Sequence, residues 1–514
     1  MGAIYFRIMS IGNCGIAARP ASYAKIYWRP APIESPVKVL TNAFWLSFCR
    51  IAADLLSFVL FAVISRTFGP GGTGEYSYAF AIATLVALTV TAGFEDYGIR
   101  QYARALEHDR PQLWRDILST QCVQLLLGLA ALVIFLLASS MTASGLLVIV
   151  ELSIYVIGWT ISYTFFVPAM ASQSMVRPAV TDLVCRLTAI VGALVWASVA
   201  HPSLPWLLAG FPVAGVVLAS LALRSAKQHG ASLRPARNWR GVLRTWRGTS
   251  AFAGAEILNQ FYARADLLLI AYFLGNAQVG LYATDIKFVE VGILPLVLLG
   301  TAAYPLLSRH AAHDLPAFEN SARDFTRIVY FFSGWLAVGI YCLIPLLIVP
   351  LFGVRFAPSA ALLPWFALFA VMKGWEVAFY RLLYSVRRQM FYCGSLIVGT
   401  VVIVLLNFQL IPAFGILGAI VAAIISIIVV DLICAWGLRR ELGSAFLISA
   451  FARLALALGV TAAVAVGAQK VAGAGPWSTA LVACGLFPLL GILFGLVPHP
   501  RRSLLLRQPH AENP

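Results

Sequence analysis

The chain has 514 residues, of which 61% are hydrophobic and only 11% are charged, whereas an average soluble domain is about 25% charged. The mean hydropathy is +0.86 and the formal net charge is +16. A soluble fold could not bury so much apolar surface, so the composition excludes an ordinary soluble protein and predicts a chain surrounded by lipid. The apolar runs are continuous rather than alternating, which predicts membrane-spanning helices and excludes a membrane β-barrel.

About fourteen apolar runs are long enough to cross a membrane as helices, and they follow a basic N-terminal segment that contains several prolines. The sequence therefore predicts an all-α integral membrane protein with about 14 transmembrane helices. The predicted helices lie near residues 41–64, 75–97, 116–138, 144–168, 179–200, 203–223, 250–273, 284–306, 326–350, 360–383, 391–411, 415–438, 449–469 and 476–496.

The 37 lysines and arginines concentrate on one side of the membrane when the N-terminus is placed in the cytoplasm. This distribution predicts a multi-pass protein of the bacterial inner (cytoplasmic) membrane with both termini in the cytoplasm. It also explains the net positive charge without nucleic acid. The densest basic segment, 225–248, is interpreted as a cytoplasmic loop that lies on anionic lipid headgroups, and docking of a partner protein is the alternative.

A short motif recurs in the two halves of the chain. Residues 69–76 (GPGGTGEY) and 275–282 (GNAQVGLY) both read G-x4-G-x-Y, and an Ala-Asp-Leu-Leu sequence precedes each motif. Each copy follows the first helix of a set of six, and six is an even number, so the pattern predicts two parallel six-helix repeats with a substrate site between them. The predicted divisions are a cytoplasmic tail (1–37), an N-terminal lobe (38–224), the basic loop (225–248), a C-terminal lobe (249–440), a terminal helix pair (441–498) and a second cytoplasmic tail (499–514).

Charged residues inside predicted helices mark the candidate site, because a charge at the bilayer centre costs about 2.5–3.5 kcal/mol on insertion scales and usually faces a cavity or a partner. The sequence predicts that four basic residues bind an anionic substrate: Arg50, Arg264, Lys287 and Lys373. The carboxylates predicted as ion-coupling candidates are Asp54, Asp266, Glu290, Glu256 and Glu376. A structural Arg50–Asp54 pair is the alternative for helix 1. Asp182 and Arg186 are interpreted as a surface pair that reaches toward the membrane interface, and Asp431 as a residue exposed there.

No catalytic residue, metal site or cofactor is expected. The sequence contains no G-x4-GK[ST] phosphate loop, which argues against ATP as the direct energy source. The predicted outside loops are short, whereas a membrane polymerase or glycosyltransferase would need a sizeable loop that carries carboxylates or histidines. The eight cysteines are scattered and form no CxxC pair, so they imply neither a disulfide framework nor a metal site. These absences favour a transporter over an enzyme.

Four segments resemble the polysaccharide biosynthesis proteins, the oligosaccharide-lipid (O-antigen-type) flippases of the multidrug/oligosaccharidyl-lipid/polysaccharide exporter superfamily. They are residues 64–70 (ISRTFGP), 264–282 (RADLLLIAYFLGNAQVGLY), 304–309 (YPLLSR) and 412–419 (PAFGILGA). The resemblance covers about residues 40–440. It implies a two-lobed bundle with a cationic central cavity and ion coupling. By the same resemblance, Arg264 and Asp266 would be the functional polar residues of the seventh predicted helix, 250–273.

By this resemblance the protein flips an undecaprenyl-pyrophosphate-linked oligosaccharide repeat unit. The expected partners are this lipid-linked oligosaccharide and membrane lipids, with a polysaccharide polymerase and chain-length proteins as candidate protein partners and no nucleic acid. An ion-coupled drug or metabolite antiporter of the same superfamily is the first alternative, although two arginines at mid-membrane favour an anionic substrate. A membrane polysaccharide polymerase is the second alternative, and the short outside loops oppose it.

Overall fold

The computed structural model describes residues 36–497, with gaps at 92, 106–107, 140, 173, 201–202, 233, 237–238 and 472–474. The chain divides into two compact units, residues 1–44 and 45–514. In the first unit the described part, 36–44, is helical. Almost all of the predicted tail 1–37 and all of the predicted tail 499–514 lie outside the described residues.

Seventeen α-helices and one 3-10 helix make up the described part of the chain. In the first half they are α1 (Pro36–Thr91), α2 (Phe94–Arg104), α3 (Arg110–Ala138), α4 (Ala143–Ala171), α5 (Val176–Ala200), α6 (Leu204–Leu208) and α7 (Gly210–Gln228). In the second half they are α8 (Trp239–Leu274), α9 (Asn276–His313), α10 (Leu315–Cys342), α11 (Ile344–Phe352), the 3-10 helix (Val354–Ala361), α12 (Leu363–Ser385), α13 (Gln389–Phe414), α14 (Ile416–Gly437), α15 (Arg439–Leu442), α16 (Ser444–Val471) and α17 (Pro476–Leu493).

The all-helical membrane fold expected from the composition is confirmed, since no strand occurs among the described residues. Eleven spans of the described chain are long and apolar enough to cross a membrane, or twelve if the 3-10 helix and α12, bent by 62° relative to each other, count as one. The predicted number of about fourteen is larger for two reasons. The run 41–64 and most of the run 75–97 lie in α1, which is counted once although Gly69 breaks it between the two runs, and the run 250–273 lies in the polar helix α8, which is not among the counted spans. Each other predicted run overlaps one span when the bent pair is counted, and the run 360–383 overlaps that pair.

Two large hydrophobic cores divide the helices into two lobes. One core contains buried residues of α1 and α3 to α7, from Leu60 to Phe211. The other contains buried residues of α8 to α14 and of the helices after them, from Tyr262 to Leu496. Phe61 of α1 belongs to the second core, so α1 packs against both lobes. Below, the N-terminal lobe means α1 to α7 and the C-terminal lobe means α8 to α17.

The basic segment 225–248 is largely ordered against α3. Helices α7 and α8 extend into it from both sides, and the indole nitrogen of Trp114 donates a hydrogen bond to the carbonyl of Ser232 at 2.8 Å. The guanidinium of Arg244 lies 2.8 Å from the carboxylate of Asp116, which is almost fully buried. The start of the C-terminal lobe is therefore tied to the N-terminal lobe through specific polar contacts.

Candidate functional site

The two G-x4-G-x-Y motifs adopt matching backbone conformations. Gly69 breaks α1 with φ 68° and ψ −168°, and Gly275 separates α8 from α9 with φ 81° and ψ 175°. A positive φ is disfavoured for residues that carry a β-carbon, so glycine is needed at both breaks. After each break the chain resumes as a helix that contains the rest of the motif.

The two motifs also contact each other reciprocally. A β-carbon placed on Gly74 would lie only 1.7 Å from the carbonyl oxygen of Asn276, and one on Gly280 would lie 2.0 Å from the carbonyl oxygen of Pro70. The second glycine of each motif therefore faces the residue that follows the first glycine of the other motif. Such an exchange of equivalent contacts is the pattern of a two-fold relationship, and it brings the lobes together at this end of the molecule.

A cavity of about 360 Å³ lies between the two lobes and is lined by residues of α1, α4, α5, α7, α8 and α9. Four basic and two acidic side chains line it: Arg50, Arg186, Arg264, Lys287, Asp54 and Glu290. Aromatic side chains form much of the remaining wall: Phe61, Tyr76, Phe80, Tyr155, Trp159 and Phe211. The cavity thus has an excess of basic groups beside apolar rings.

Most of the sequence-predicted residues meet in this cavity. Arg264 lies 3.6 Å from one oxygen of the Glu290 carboxylate, and Lys287 lies 3.0 Å from the other. On the opposite wall, Arg50 and Asp54 line the same cavity one helical turn apart. Within the described chain no ion pair within 4.0 Å joins Arg50 to Asp54, so the alternative of a locked intrahelical pair has no contact to support it.

Arg186 is a cavity residue that the sequence reasoning missed. The interpretation of Asp182 and Arg186 as an exposed surface pair was wrong, because only 13% of the Arg186 side chain and 11% of the Asp182 side chain are exposed. The Arg186 guanidinium lies 3.1 Å from the Asp182 carboxylate and 4.3 Å from the centre of the Trp159 ring. Tyr163 donates a second hydrogen bond to Asp182 at 3.1 Å. The i, i+4 spacing was visible in the sequence, but the ring that covers Arg186 comes from another helix.

Lys373 does not line the main cavity; it lines a smaller one of about 150 Å³ within the C-terminal lobe, together with Asp266 and Glu290. Its ammonium lies 2.6 Å from the carboxylate of Glu376, which also accepts a hydrogen bond from Tyr392 at 2.9 Å. Since Glu290 lines both cavities, the two polar regions are adjacent.

Three further carboxylates take different positions. Asp266 is buried and accepts hydrogen bonds from the hydroxyl of Tyr282 and from the backbone of Leu267. Glu256 is exposed, bonds to Gln260 and lines neither of these two cavities. Asp431, expected at the membrane interface, is only 5% exposed, because α14 packs that side chain inside the C-terminal lobe.

The arrangement is suited to holding an anionic group. Guanidinium groups bind phosphate and carboxylate oxygens in a bidentate manner, and they bind more strongly where water is scarce. Among the described residues no three His, Cys, Asp or Glu side chains are placed to share a metal ion.

The model of the family described as "polysaccharide biosynthesis protein" matches residues 39–311, which is more than half of the chain. The chain belongs to the polysaccharide biosynthesis protein family. The match begins in α1 and ends in α9, so it includes the main cavity and both glycine motifs. No curated protein matches the sequence significantly.

Solved structures show the fold that this polysaccharide biosynthesis family member shares. A lipid II flippase, MurJ, in an inward closed conformation is 13% identical, covers 88% of this chain and 97% of its own, and gives a TM-score of 0.70. An inward-facing multidrug resistance transporter of the MATE family and MOP superfamily is 12% identical, covers 80% of this chain and 98% of its own, and gives 0.56. A MOP superfamily transporter from Pyrococcus furiosus is 13% identical with 80% and 96% coverage and gives 0.54. At these identities the similarity shows a shared fold, and the similar structures are of flippases and transporters.

Proposed function

We propose that this protein is a flippase that carries undecaprenyl-pyrophosphate-linked oligosaccharide repeat units across the bacterial inner membrane by alternating access. The product would serve the synthesis of a surface polysaccharide such as a lipopolysaccharide O-antigen or an exopolysaccharide. The observation that supports this proposal most is the cavity between the lobes, where four basic side chains outnumber two acidic ones in a member of the polysaccharide biosynthesis family.

The basic side chains of the cavity would lower the energetic cost of moving a charged headgroup across the membrane. A pyrophosphate carries about two negative charges, and moving an unpaired charge through hydrocarbon is prohibitive. Arg50 and Arg264 stand on opposite lobes with the cavity between them, so a pyrophosphate between them would contact a guanidinium from each side. The sugar hydroxyls would meet the aromatic wall, since amphipathic rings such as Tyr76 and Trp159 offer both apolar faces and polar atoms. The apolar polyprenyl tail would stay in the surrounding lipid.

The orientation in the membrane completes the proposal. The positive-inside distribution favours both termini in the cytoplasm, and in that orientation Gly69 and Gly275 would lie at the outer side of the membrane. The reciprocal contact of the two motifs would then close the outer side, and the substrate would enter from the cytoplasmic side. Opening of this contact, with closure at the basic segment 225–248, would expose the cavity outside.

The predicted ion-coupling carboxylates differ in their suitability. Glu290 pairs with two cationic side chains, and Asp266 accepts hydrogen bonds. Binding of a proton or a sodium ion to either carboxylate would therefore disturb existing contacts. Asp54 lines the cavity and forms no ion pair within 4.0 Å among the described residues. Of the carboxylates predicted from the sequence, Asp54 is therefore the one most free to exchange a proton or a sodium ion with the cavity.

An ion-coupled drug or metabolite antiporter is the second candidate, and the similarity to a multidrug transporter fold favours it. The basic excess in the cavity opposes it for cationic drugs, because cations would be repelled by Arg50, Arg264 and Lys287. A polysaccharide polymerase and chain-length proteins remain proposed partners of the flippase.

Complementation of a flippase-null strain tests the proposal. Arg264→Ala should abolish the surface polysaccharide while the membrane level of the protein stays normal, and Arg264→Lys should restore it partly, because lysine keeps the charge but loses the bidentate geometry. Arg440→Ala, which removes an exposed arginine outside the cavity, is the matched control and should have no effect. Full activity of the Arg50→Ala, Arg264→Ala double variant would overturn the cationic-cavity mechanism.

A further inference from the structure

The segment 344–361, which contains α11 and the 3-10 helix, belongs to the C-terminal lobe but is held by the N-terminal lobe. Arg66 of α1 donates hydrogen bonds to the backbone carbonyls of Pro350 and Leu351, the second at 3.0 Å. Arg355 lies against the bend of α1, where its guanidinium would be 3.2 Å from a β-carbon on Gly69. These contacts join the lobes at the same end as the reciprocal glycine contact.

Aromatic packing reinforces this contact. The ring of Phe352 lies 6.0 Å from the rings of both Phe58 and Phe61 in α1, and 5.7 Å from the ring of Phe288 in α9. Phe352 therefore fills the space between α1 and α9. Segment 344–361 lies at this junction and would lose these contacts if α1 moved away.

Beside this segment is a buried carboxylate that the transport mechanism above does not use. Asp285 of α9 is 0% exposed, and neither of its oxygens has a hydrogen-bond partner in the described chain. Its polar neighbour is Ser359 of the 3-10 helix, which is also 0% exposed and whose hydroxyl is likewise unpartnered. Asp285 is nine residues beyond Asn276 at the start of α9, or roughly 14 Å along the helix at 1.5 Å per residue.

No charged side chain of the described helices around α9 compensates Asp285. Arg355 of the 3-10 helix points toward Gly69, and Arg264 of α8 pairs with Glu290. Asp266 of α8 is hydrogen-bonded to Tyr282, and Lys373 and Glu376 of α12 pair with each other. The charged side chains of α10 have no electrostatic effect on Asp285; they are Glu319, Arg323, Asp324 and Arg327. An ionised carboxylate in such a place would be both desolvated and unpaired, which is strongly unfavourable.

We propose that Asp285 is a proton-binding site that opens and closes with the lobe interface. While segment 344–361 covers it, the carboxyl group carries a proton and is neutral. When the N-terminal lobe releases this segment, water reaches the site, the O–H bond breaks, the electron pair stays on the carboxylate and the proton passes to water. Reclosure requires the reverse step. The inference rests on the proposed alternating access but is independent of the substrate's identity.

A proton fits this site better than a metal ion does. Protein-bound calcium and magnesium take six or more oxygen ligands, whereas the oxygens found unpartnered here are two from Asp285 and one from Ser359. A single proton neutralises the carboxylate without any further ligand. Because each opening would release one proton, the ratio of open to closed molecules should rise by up to about tenfold per pH unit.

A distance measurement across the contact tests this proposal without any substrate. Thr67 and Val354 are both exposed and adjoin Arg66 and Arg355, so spin labels on single cysteines at these positions, in a cysteine-free protein in lipid nanodiscs, report the separation of the lobes. Between pH 5.5 and 8.5 the parent protein should shift from a short to a long distance as the pH rises. Asp285→Asn, which is neutral at every pH, should keep the short distance throughout.

Two further variants make the outcome decisive. Glu319→Gln, the same chemical change at a carboxylate of α10 that is 40% exposed and outside both cavities, should retain the parent response. Ser359→Ala removes the polar group that neighbours the protonated carboxyl only in the closed state, so it should destabilise the closed state and move the midpoint of the shift to lower pH, and it serves also if Asp285→Asn fails to fold. A pH-independent parent protein, a parent-like response of Asp285→Asn, or an unchanged midpoint in Ser359→Ala would each overturn the proposal. Full complementation by the Arg50→Ala, Arg264→Ala double variant, with this pH response intact, would overturn the substrate assignment alone.

Discussion

Gly74 and Gly280 occupy the same position in two repeated motifs, and each lies against the backbone of the other repeat. The carbonyl oxygens of Asn276 and Pro70 occupy the space that their β-carbons would need. The lobes can therefore approach this closely only because each glycine carries a hydrogen atom in place of a β-carbon. The recurrence of G-x4-G-x-Y is then explained by contact across the lobe interface as well as by the bend at its first glycine.

Substitution of either glycine should prevent the lobes from closing at this end. A β-carbon closer than about 3 Å to a backbone oxygen requires the two backbones to separate, since the interior is close-packed. Gly74→Ala and Gly280→Ala should each abolish complementation of a flippase-null strain and increase the distance between spin labels at Thr67 and Val354.

Gly71→Ala is the matched control for this prediction. Gly71 lies in the same link, but a β-carbon there would meet no atom within 4 Å, so both readouts should stay at the parent level. If Gly74→Ala keeps the short distance and full complementation, the glycine contact does not limit closure.

The predicted orientation can be tested by cysteine labelling in intact spheroplasts. Arg234 lies in the basic segment 225–248, and Val354 lies in the segment 344–361, which contacts α1 near its break at Gly69. Both residues are exposed. In a cysteine-free background, a membrane-impermeant maleimide should label Val354→Cys in intact spheroplasts and Arg234→Cys only after permeabilisation. Labelling of Arg234→Cys from outside would reverse the orientation and, with it, the assignment of the closed end.

The sequence predicted the membrane fold and a cavity lined by charged residues of several helices for a physical reason. A charged residue inside an apolar helix is costly enough that Arg50, Arg264 and Lys287 had to face either a cavity or a partner, and a motif that recurs at the same place in each half pointed to a site between the halves. Helical periodicity then placed Asp54 beside Arg50. These inferences depend on local sequence and membrane energetics alone.

The remaining site residues depend on contacts that no local pattern reveals. Arg186 turns into the cavity because Trp159 of another helix covers it, and Lys373 is directed away from the main cavity by Glu376 and Tyr262. The sequence does not single out Asp285, because an isolated aspartate on a helix gives no sign that a distant segment of the chain buries it. The predicted number of spans differs from the count by length and composition partly because that count takes α1 as one span, although Gly69 breaks it into the two predicted helices.

The buried Arg186–Asp182 pair should contribute strongly to stability. Both side chains are almost fully enclosed, so Asp182→Asn would leave a buried guanidinium without its counter-charge, at a cost of about 3–5 kcal/mol. The thermal unfolding temperature of the purified protein in detergent should fall clearly. Glu319→Gln, which breaks a pair that is 37% and 40% exposed, should cost less than about 1 kcal/mol. Equal effects of the two substitutions would show that the Asp182 pair is not sealed from water.

We expect Glu290 to set how tightly the cavity holds an anion, because its two oxygens lie 3.6 Å from Arg264 and 3.0 Å from Lys287. Glu290→Gln would free both cations and add one net positive charge, and even roughly 1.4 kcal/mol of extra attraction corresponds to about tenfold tighter binding. Since a carrier must also release its cargo on the other side, the Kd for the lipid-linked oligosaccharide should fall while transport, measured by surface polysaccharide, also falls. Glu256→Gln makes the same change outside the two cavities and should alter neither quantity. Weaker binding in Glu290→Gln would mean that the Glu290 carboxylate itself accepts hydrogen bonds from hydroxyl groups of the substrate. Arg264 and Lys287 would then serve mainly to position Glu290.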